Sequence, residues 1–172
     1  MPETAANAPP LLIDAMLGSL ARRLRWLGYD ADYRRDLADA EMMRIARQEG
    51  RVLVTRDREL AGQRGWAGSR GSLYLAGDTL DEQVKTILAA LGPPPGPSRC
   101  TVCNGALLRL DPAQAAPLVP PYVAATQTEF ARCQRCGRVY WPGTHWPGLQ
   151  AWREDAATAS TSSLESEEGE EV

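Results

Sequence analysis

Short apolar runs alternate with amphipathic stretches through the first half of the chain. Leu11-Leu12-Ile13 is apolar at every position, whereas Leu17, Leu20, Leu24 and Leu27 recur at helical spacing and stop at Gly28. A strand around Tyr29 to Tyr33 is expected next, then a helix from Ala40 to Glu49, capped by Asp39 and ended by Gly50. Val52-Leu53-Val54-Thr55 reads as a strand buried on both faces, and Leu73-Tyr74-Leu75 as a fourth strand. Thr79 and Glu82 have capping-box spacing, and Val84, Ile87, Leu88 and Leu91 then form one stripe before Gly92. Strands that alternate with helices imply βαβ crossovers, so residues 11–92 are expected to form an α/β domain with an open parallel sheet and flanking helices.

That pattern breaks at Gly92-Pro93-Pro94-Pro95-Gly96-Pro97. Proline fixes φ and removes a donor, so residues 93–97 are expected to be a stiff linker to a second unit, 98–150, which carries all four cysteines. Residues 1–10 and 151–172 have too little to bury and are expected to be disordered.

Charge sharpens this division. The net charge of −3 hides a tail with seven acids and one Arg, whereas residues 98–150 hold five Arg and two acids. All but one of the nineteen basic residues are Arg. A guanidinium fits phosphate in two-pronged fashion and stacks on bases, though a GC-rich genome would also produce this bias. The acidic tail is expected to be a solubilising segment rather than a mimic of RNA. No apolar run approaches the roughly 20 residues of a membrane span. Met1 to Pro10 also lacks the pattern of a secretory signal, so a cytoplasmic protein without a membrane partner is expected.

In that reducing compartment paired cysteines point to metal. Cys100-Thr101-Val102-Cys103 and Cys133-Gln134-Arg135-Cys136 are two CxxC pairs, each followed by residues suited to the turn a metal knuckle needs, Asn104-Gly105 and Gly137. Four thiolates close a tetrahedral site, so a structural Zn²⁺ is expected, with rubredoxin-like iron the less favoured ion. Around the second pair, Arg132, Arg135, Arg138, Tyr140, Trp141, His145 and Trp146 mix cations and π faces suited to unpaired nucleotides. Tyr140 and Trp141 could equally cover the metal in a module short of core.

The remaining chemistry is acidic. Asp14 follows the first strand, Asp39 and Glu41 open the second helix, and Asp57 and Glu59 follow the Val52–Thr55 strand. Ligands of open parallel sheets bind outside the strand carboxyl ends, and carboxylates converging there without histidine suit Mg²⁺ or Mn²⁺. Hard ions in such a site support hydrolysis of phosphodiesters. Asp14 and Asp39 could instead be simple helix caps, and Glu59 an ordinary first-turn acid. Neither G-x-G-x-x-G nor G-x-x-x-x-G-K-[ST] occurs, which sets aside the common nucleotide-binding folds.

Taken together, Asp14 to Arg22, Leu27-Gly28-Tyr29-Asp30, Gly50 to Leu60, the two cysteine pairs and Tyr140-Trp141-Pro142-Gly143-Thr144-His145-Trp146 resemble the Mut-seven C-terminal ribonucleases, over residues 11–147. The resemblance implies a PIN-like α/β nuclease domain followed by a zinc ribbon, acting on RNA, with tRNA, rRNA or the ribosome as candidate partners. It implies that Asp14, Asp39 and Asp57 bind the catalytic metal, with Glu41 and Glu59 in support. Arg22, Arg56 and Arg58 join Arg135, Arg138, Trp141, His145 and Trp146 as candidates for contacting RNA. Asp39-Ala40-Glu41 departs from the family pattern by offering two acids where one is needed, and a fourth carboxylate must come from Glu59 or Asp78. The expected activity is metal-dependent endonucleolytic cleavage of RNA. A non-catalytic RNA- or ribosome-binding module is the alternative.

Overall fold

The computed structural model describes residues 8–63 and 70–143. Four strands, β1 (Leu11–Ile13), β2 (Ala31–Tyr33), β3 (Val52–Thr55) and β4 (Ser72–Tyr74), form a fully parallel sheet in the order β2-β1-β3-β4. The helices between them are α1 (Gly18–Leu27), α2 (Asp39–Glu49) and α3 (Arg58–Gly62), and α4 (Leu80–Leu91) follows β4. The alternation of the sequence is thus realised as crossover connections that cover both faces of the sheet. One face packs Leu11, Ile13, Val52 and Val54 against α1 and α4, whose Leu20, Leu24, Val84 and Ile87 are buried there. The other packs Leu12 and Leu53 against Met42, Ile45 and Ala46 of α2 and Leu60 of α3. Burial on both sides explains why β1 and β3 read as continuous apolar runs.

The element ends follow local chemistry with two differences from expectation. Thr79 and Glu82 form the full capping box at the start of α4. Gly28 and Gly50 end α1 and α2 in the left-handed conformation. Asp39 does not cap α2: it is the first residue of the helix, and Ala38 precedes it with no side-chain cap. The second strand is shorter than expected because Tyr29 is buried outside the ladder, its hydroxyl donating to the Gly92 carbonyl.

The second sheet is antiparallel, β5 (Leu107–Leu110), β6 (Phe130–Cys133) and β7 (Val139–Tyr140), in that order. Two short helices, α5 (Pro112–Ala115) and α6 (Pro121–Thr126), lie between β5 and β6, where no hydrophobic periodicity marks them. Asp111 caps α5 through the Ala113 amide, and prolines open both helices. Among the described residues, Ala115, Val123 and Phe130 are the fully buried members of a small core, which Leu110, Val119, Val139 and Trp141 edge.

This sheet does not hang free on the proline segment. Arg25, only 4% exposed, donates from Nε to the Ala31 carbonyl and from Nη1 to the Thr101 and Val102 carbonyls at 3.0 and 3.2 Å. Asn104 donates to Asp30 at 2.7 Å, and the Arg99 amide to the Arg25 carbonyl at 2.7 Å. Trp26 meets Tyr140 with ring centroids 6.4 Å apart. The proline segment itself passes against Gly28, where a Cβ would lie 2.1 Å from the Gly96 carbonyl oxygen at a φ of +113°. Gly28→Ala is therefore expected to cost at least about 1–2 kcal/mol from backbone conformation alone, before the clash is counted. A denaturation series comparing it with Gly62→Ala, whose Cβ meets nothing within 4 Å, checks this.

Candidate functional site

Strand order decides where a ligand can sit. From β1 the chain moves outward to β2, then crosses back to place β3 on the other side of β1, so the sheet reverses direction between β1 and β3. Helices on opposite faces diverge at such a point and leave a crevice outside the strand carboxyl ends. Asp14 directly follows β1, and Asp57 follows β3 by two residues.

A buried hydroxyl ties these two acids together. Thr55, fully buried at the end of β3, donates from Oγ1 to Asp14 Oδ2 at 2.6 Å and accepts from the Asp57 amide at 2.9 Å. Asp14 is 9% exposed and its amide donates to the Val54 carbonyl at 3.0 Å. Asp57 is exposed, and its Oδ1 accepts from the Glu59 and Leu60 amides at 2.8 and 3.0 Å, capping α3. Each carboxylate thus keeps one oxygen without a protein partner among the described residues, the condition a cation ligand needs. Thr55 went unselected in the sequence. Its only signal was a hydroxyl closing an otherwise apolar strand just before Arg56-Asp57.

The other acids stand differently. Asp39 is exposed in the first turn of α2, a helix that packs over Leu12 of β1 and Leu53 of β3, so that turn rises on the crevice side of the sheet. Glu41 accepts from Arg44 through both oxygens, at 2.6 and 2.9 Å. Glu59 is exposed at the start of α3, and Asp78 pairs with Arg56. Arg58 lies over the Tyr74 ring at 5.1 Å. Among the described residues, no three carboxylates bring donor oxygens within 4.8 Å of one another.

The four cysteines do converge. Cys100, Cys103, Cys133 and Cys136 place their sulfurs within 4.8 Å of one another, with Cys100–Cys136 at 3.6 Å and Cys103–Cys133 at 3.4 Å. A tetrahedron with metal–sulfur bonds of about 2.3 Å has edges of about 3.8 Å. All four are free thiols, and these separations are far beyond a disulfide. The group can therefore hold one metal ion. Turn geometry prepares it: Asn104 and Gly137 adopt φ of 63° and 74°. Gly105 is needed for space, since a Cβ there would lie 2.9 Å from Cys133 Sγ. Crowded thiols cannot all ionise unaided. Burial works against charge on Cys100, yet hydrogen bonds from Tyr140 and the Cys103 amide bring it down to about 6. Burial and the neighbouring sulfurs push Cys103 up to about 12. A divalent cation relieves that conflict.

Around the knuckles, Tyr140 lies 3.0 Å from Cys100 Sγ through its hydroxyl, and Trp141 edges the small core. Arg135 donates to the Cys103 carbonyl at 2.9 Å, joining the two knuckles, and Arg138 is exposed. His145 and Trp146 lie outside the described residues. No helix among the described residues is long and apolar enough to cross a membrane.

The search of curated proteins and the search of solved structures gave no match. The family description Mut7-C RNAse domain matches residues 9–152, which takes in both sheets, the crevice acids and all four cysteines. The chain belongs to the Mut7-C RNAse domain family.

Proposed function

We propose that this protein is a divalent-metal-dependent endoribonuclease whose centre lies at the carboxyl ends of β1 and β3. The observation that carries the reading is the Asp14–Thr55–Asp57 chain at the point where the sheet reverses direction. Asp14 and Asp57 hold the ion through their free oxygens, and Asp39, in the neighbouring first turn of α2, completes the acidic rim. Glu41 and Glu59 contribute negative field at that rim. When bound, Mg²⁺ or Mn²⁺ supplies Lewis-acid activation of the RNA phosphodiester and of the attacking water. Thr55 fixes the Asp14 carboxylate by donating to Oδ2, leaving Oδ1 for the ion. Arg56 and Arg58 supply positive charge beside Asp57, and Arg22, Arg135, Arg138, Trp141, His145 and Trp146 extend the RNA-contacting surface. Zn²⁺ held by the four cysteines has a structural role, since four thiolates leave no position for substrate.

Incubation of the purified protein with cellular RNA, with and without Mn²⁺, beside an Asp14→Asn variant and with mapped ends, tests this reading. New ends that require both the metal and Asp14 are expected; ends unaffected by the substitution would remove it. Thr55→Val should lower cleavage about 10- to 100-fold, as loss of a ligand-orienting partner does, and Thr55→Ser should restore it. Equal cleavage by all three forms would leave Thr55 a packing residue.

One observation favours the alternative of a non-catalytic RNA- or ribosome-binding module, namely that among the described residues no three carboxylates bring ligand oxygens together. Retention of RNA without Mg²⁺ or Mn²⁺, and no new ends on long incubation, would establish that reading instead.

A further inference from the structure

A cleft of about 520 Å³ opens beside Asp14, between the start of α1, the end of β2 and the first cysteine knuckle. Its walls contain three arginines, Arg22, Arg25 and Arg35, and no carboxylate. By contrast, Arg34, Arg44, Arg51 and Arg56 each reach an acid within 3.3 Å. Arg22 and Arg35 are exposed and form no ion pair among the described residues; Arg22 reaches only the Ser19 hydroxyl, at 3.5 Å. Arg25 forms part of the cleft wall, held by the three backbone carbonyls already described.

The cleft is also shaped. Tyr33 is fixed across it, its hydroxyl donating to the Ala15 carbonyl at 2.9 Å. Gly18 leaves room for that ring, since a Cβ there would lie 2.8 Å from Tyr33 Oη. At the lips, Met16 and Val102 are 64% and 54% exposed, two of the few large apolar side chains left in solvent.

We propose that this cleft binds the backbone of single-stranded RNA next to the cleaved bond, with phosphates on Arg22 and Arg35 and unpaired bases against Met16, Val102 and Tyr33. The inference rests on the carboxylate centre proposed above for its cleavage role, but not for binding. Uncompensated cations select a polyanion. Apolar lips select unpaired bases, because a duplex stacks its bases inside and offers them nothing. Continuity along Asp14-Ala15-Met16 places the strand's neighbouring nucleotides here when one phosphodiester sits at Asp14.

Fluorescence polarisation of the full chain with a labelled short oligouridine, without added Mg²⁺ or Mn²⁺, tests the proposal. Arg22→Glu with Arg35→Glu should weaken binding at least about tenfold. In the milder Arg22→Ala, Arg35→Ala pair the slope of log affinity against log salt should fall by about 0.7 for each lost phosphate contact, a change that altered packing would not produce. Both side chains are exposed, and bound zinc and melting temperature report on folding. Unchanged affinity in the charge-reversed variant, no binding by the parent chain, or equal arginine-dependent binding of duplex RNA would each overturn it. Arginine-dependent binding with no cleavage by any form would remove the nuclease reading and leave the cleft standing.

Discussion

Asp57→Asn is expected to reduce RNA cleavage more than about 100-fold while leaving the fold in place. That loss exceeds the roughly 10- to 100-fold typical of a residue that only orients a ligand, because Asp57 is proposed to be a ligand itself. A neutral amide oxygen attracts a hard divalent cation more weakly than a carboxylate does. The fold is preserved because Asp57 also caps α3, accepting from the Glu59 and Leu60 amides, and Asn is as good a cap as Asp. Asp57→Ala would lose that cap as well, about 1 kcal/mol of stability. Comparing the two variants separates chemistry from capping. Cleavage rates of parent and both variants in Mn²⁺, beside their denaturation midpoints, make the measurement, and an Asn variant cleaving at the parental rate would sink the proposed centre.

Removing the metal should have the larger structural effect. One zinc per chain is expected by elemental analysis, and stripping it with a strong chelator should unfold the β5-β6-β7 sheet while the parallel sheet persists. The asymmetry follows from burial. Among the described residues, fourteen buried ones fill one face of the parallel sheet and six the other, whereas three fill the core beside β6. Val123 and Phe130 at about 1.5–3 kcal/mol each, with the smaller Ala115, cannot alone offset the entropy of ordering that module. Metal binding at structural four-ligand sites supplies about 10–16 kcal/mol. Arg25 then links the two sheets: its guanidinium bonds the knuckle carbonyls of Thr101 and Val102, so their loss would leave a buried charge half satisfied. Hydrogen exchange should show lost protection at Cys133 and Asn104 and full protection at Leu53. Protection of the Cys133 amide unchanged after complete metal removal would show that the module folds without the ion.

Local patterns explain what was legible beforehand. The four cysteines, the capping box of Thr79 and Glu82, the stops at Gly28 and Gly50 and the doubly buried run from Val52 to Thr55 each depend on residues close in sequence. Asp14 and Asp57 were visible as acids at strand ends. The two small helices at 112–115 and 121–126 were not, because a few residues beginning at proline carry no periodicity.

Sequence by itself determined the order of elements, the ligand set of the metal knuckles and which acids stand at strand ends, since these follow from side-chain period, spacing and backbone preference within a few residues. Tertiary structure alone decided that β3 lies beside β1, because pairing between strands about forty residues apart is a choice among crossovers that no local pattern records. That choice made Thr55 the bridge between Asp14 and Asp57, left Asp39 in a separate helical turn, and brought Arg25 under the cysteine knuckle to close a cleft whose Arg22 and Arg35 form no ion pair among the described residues.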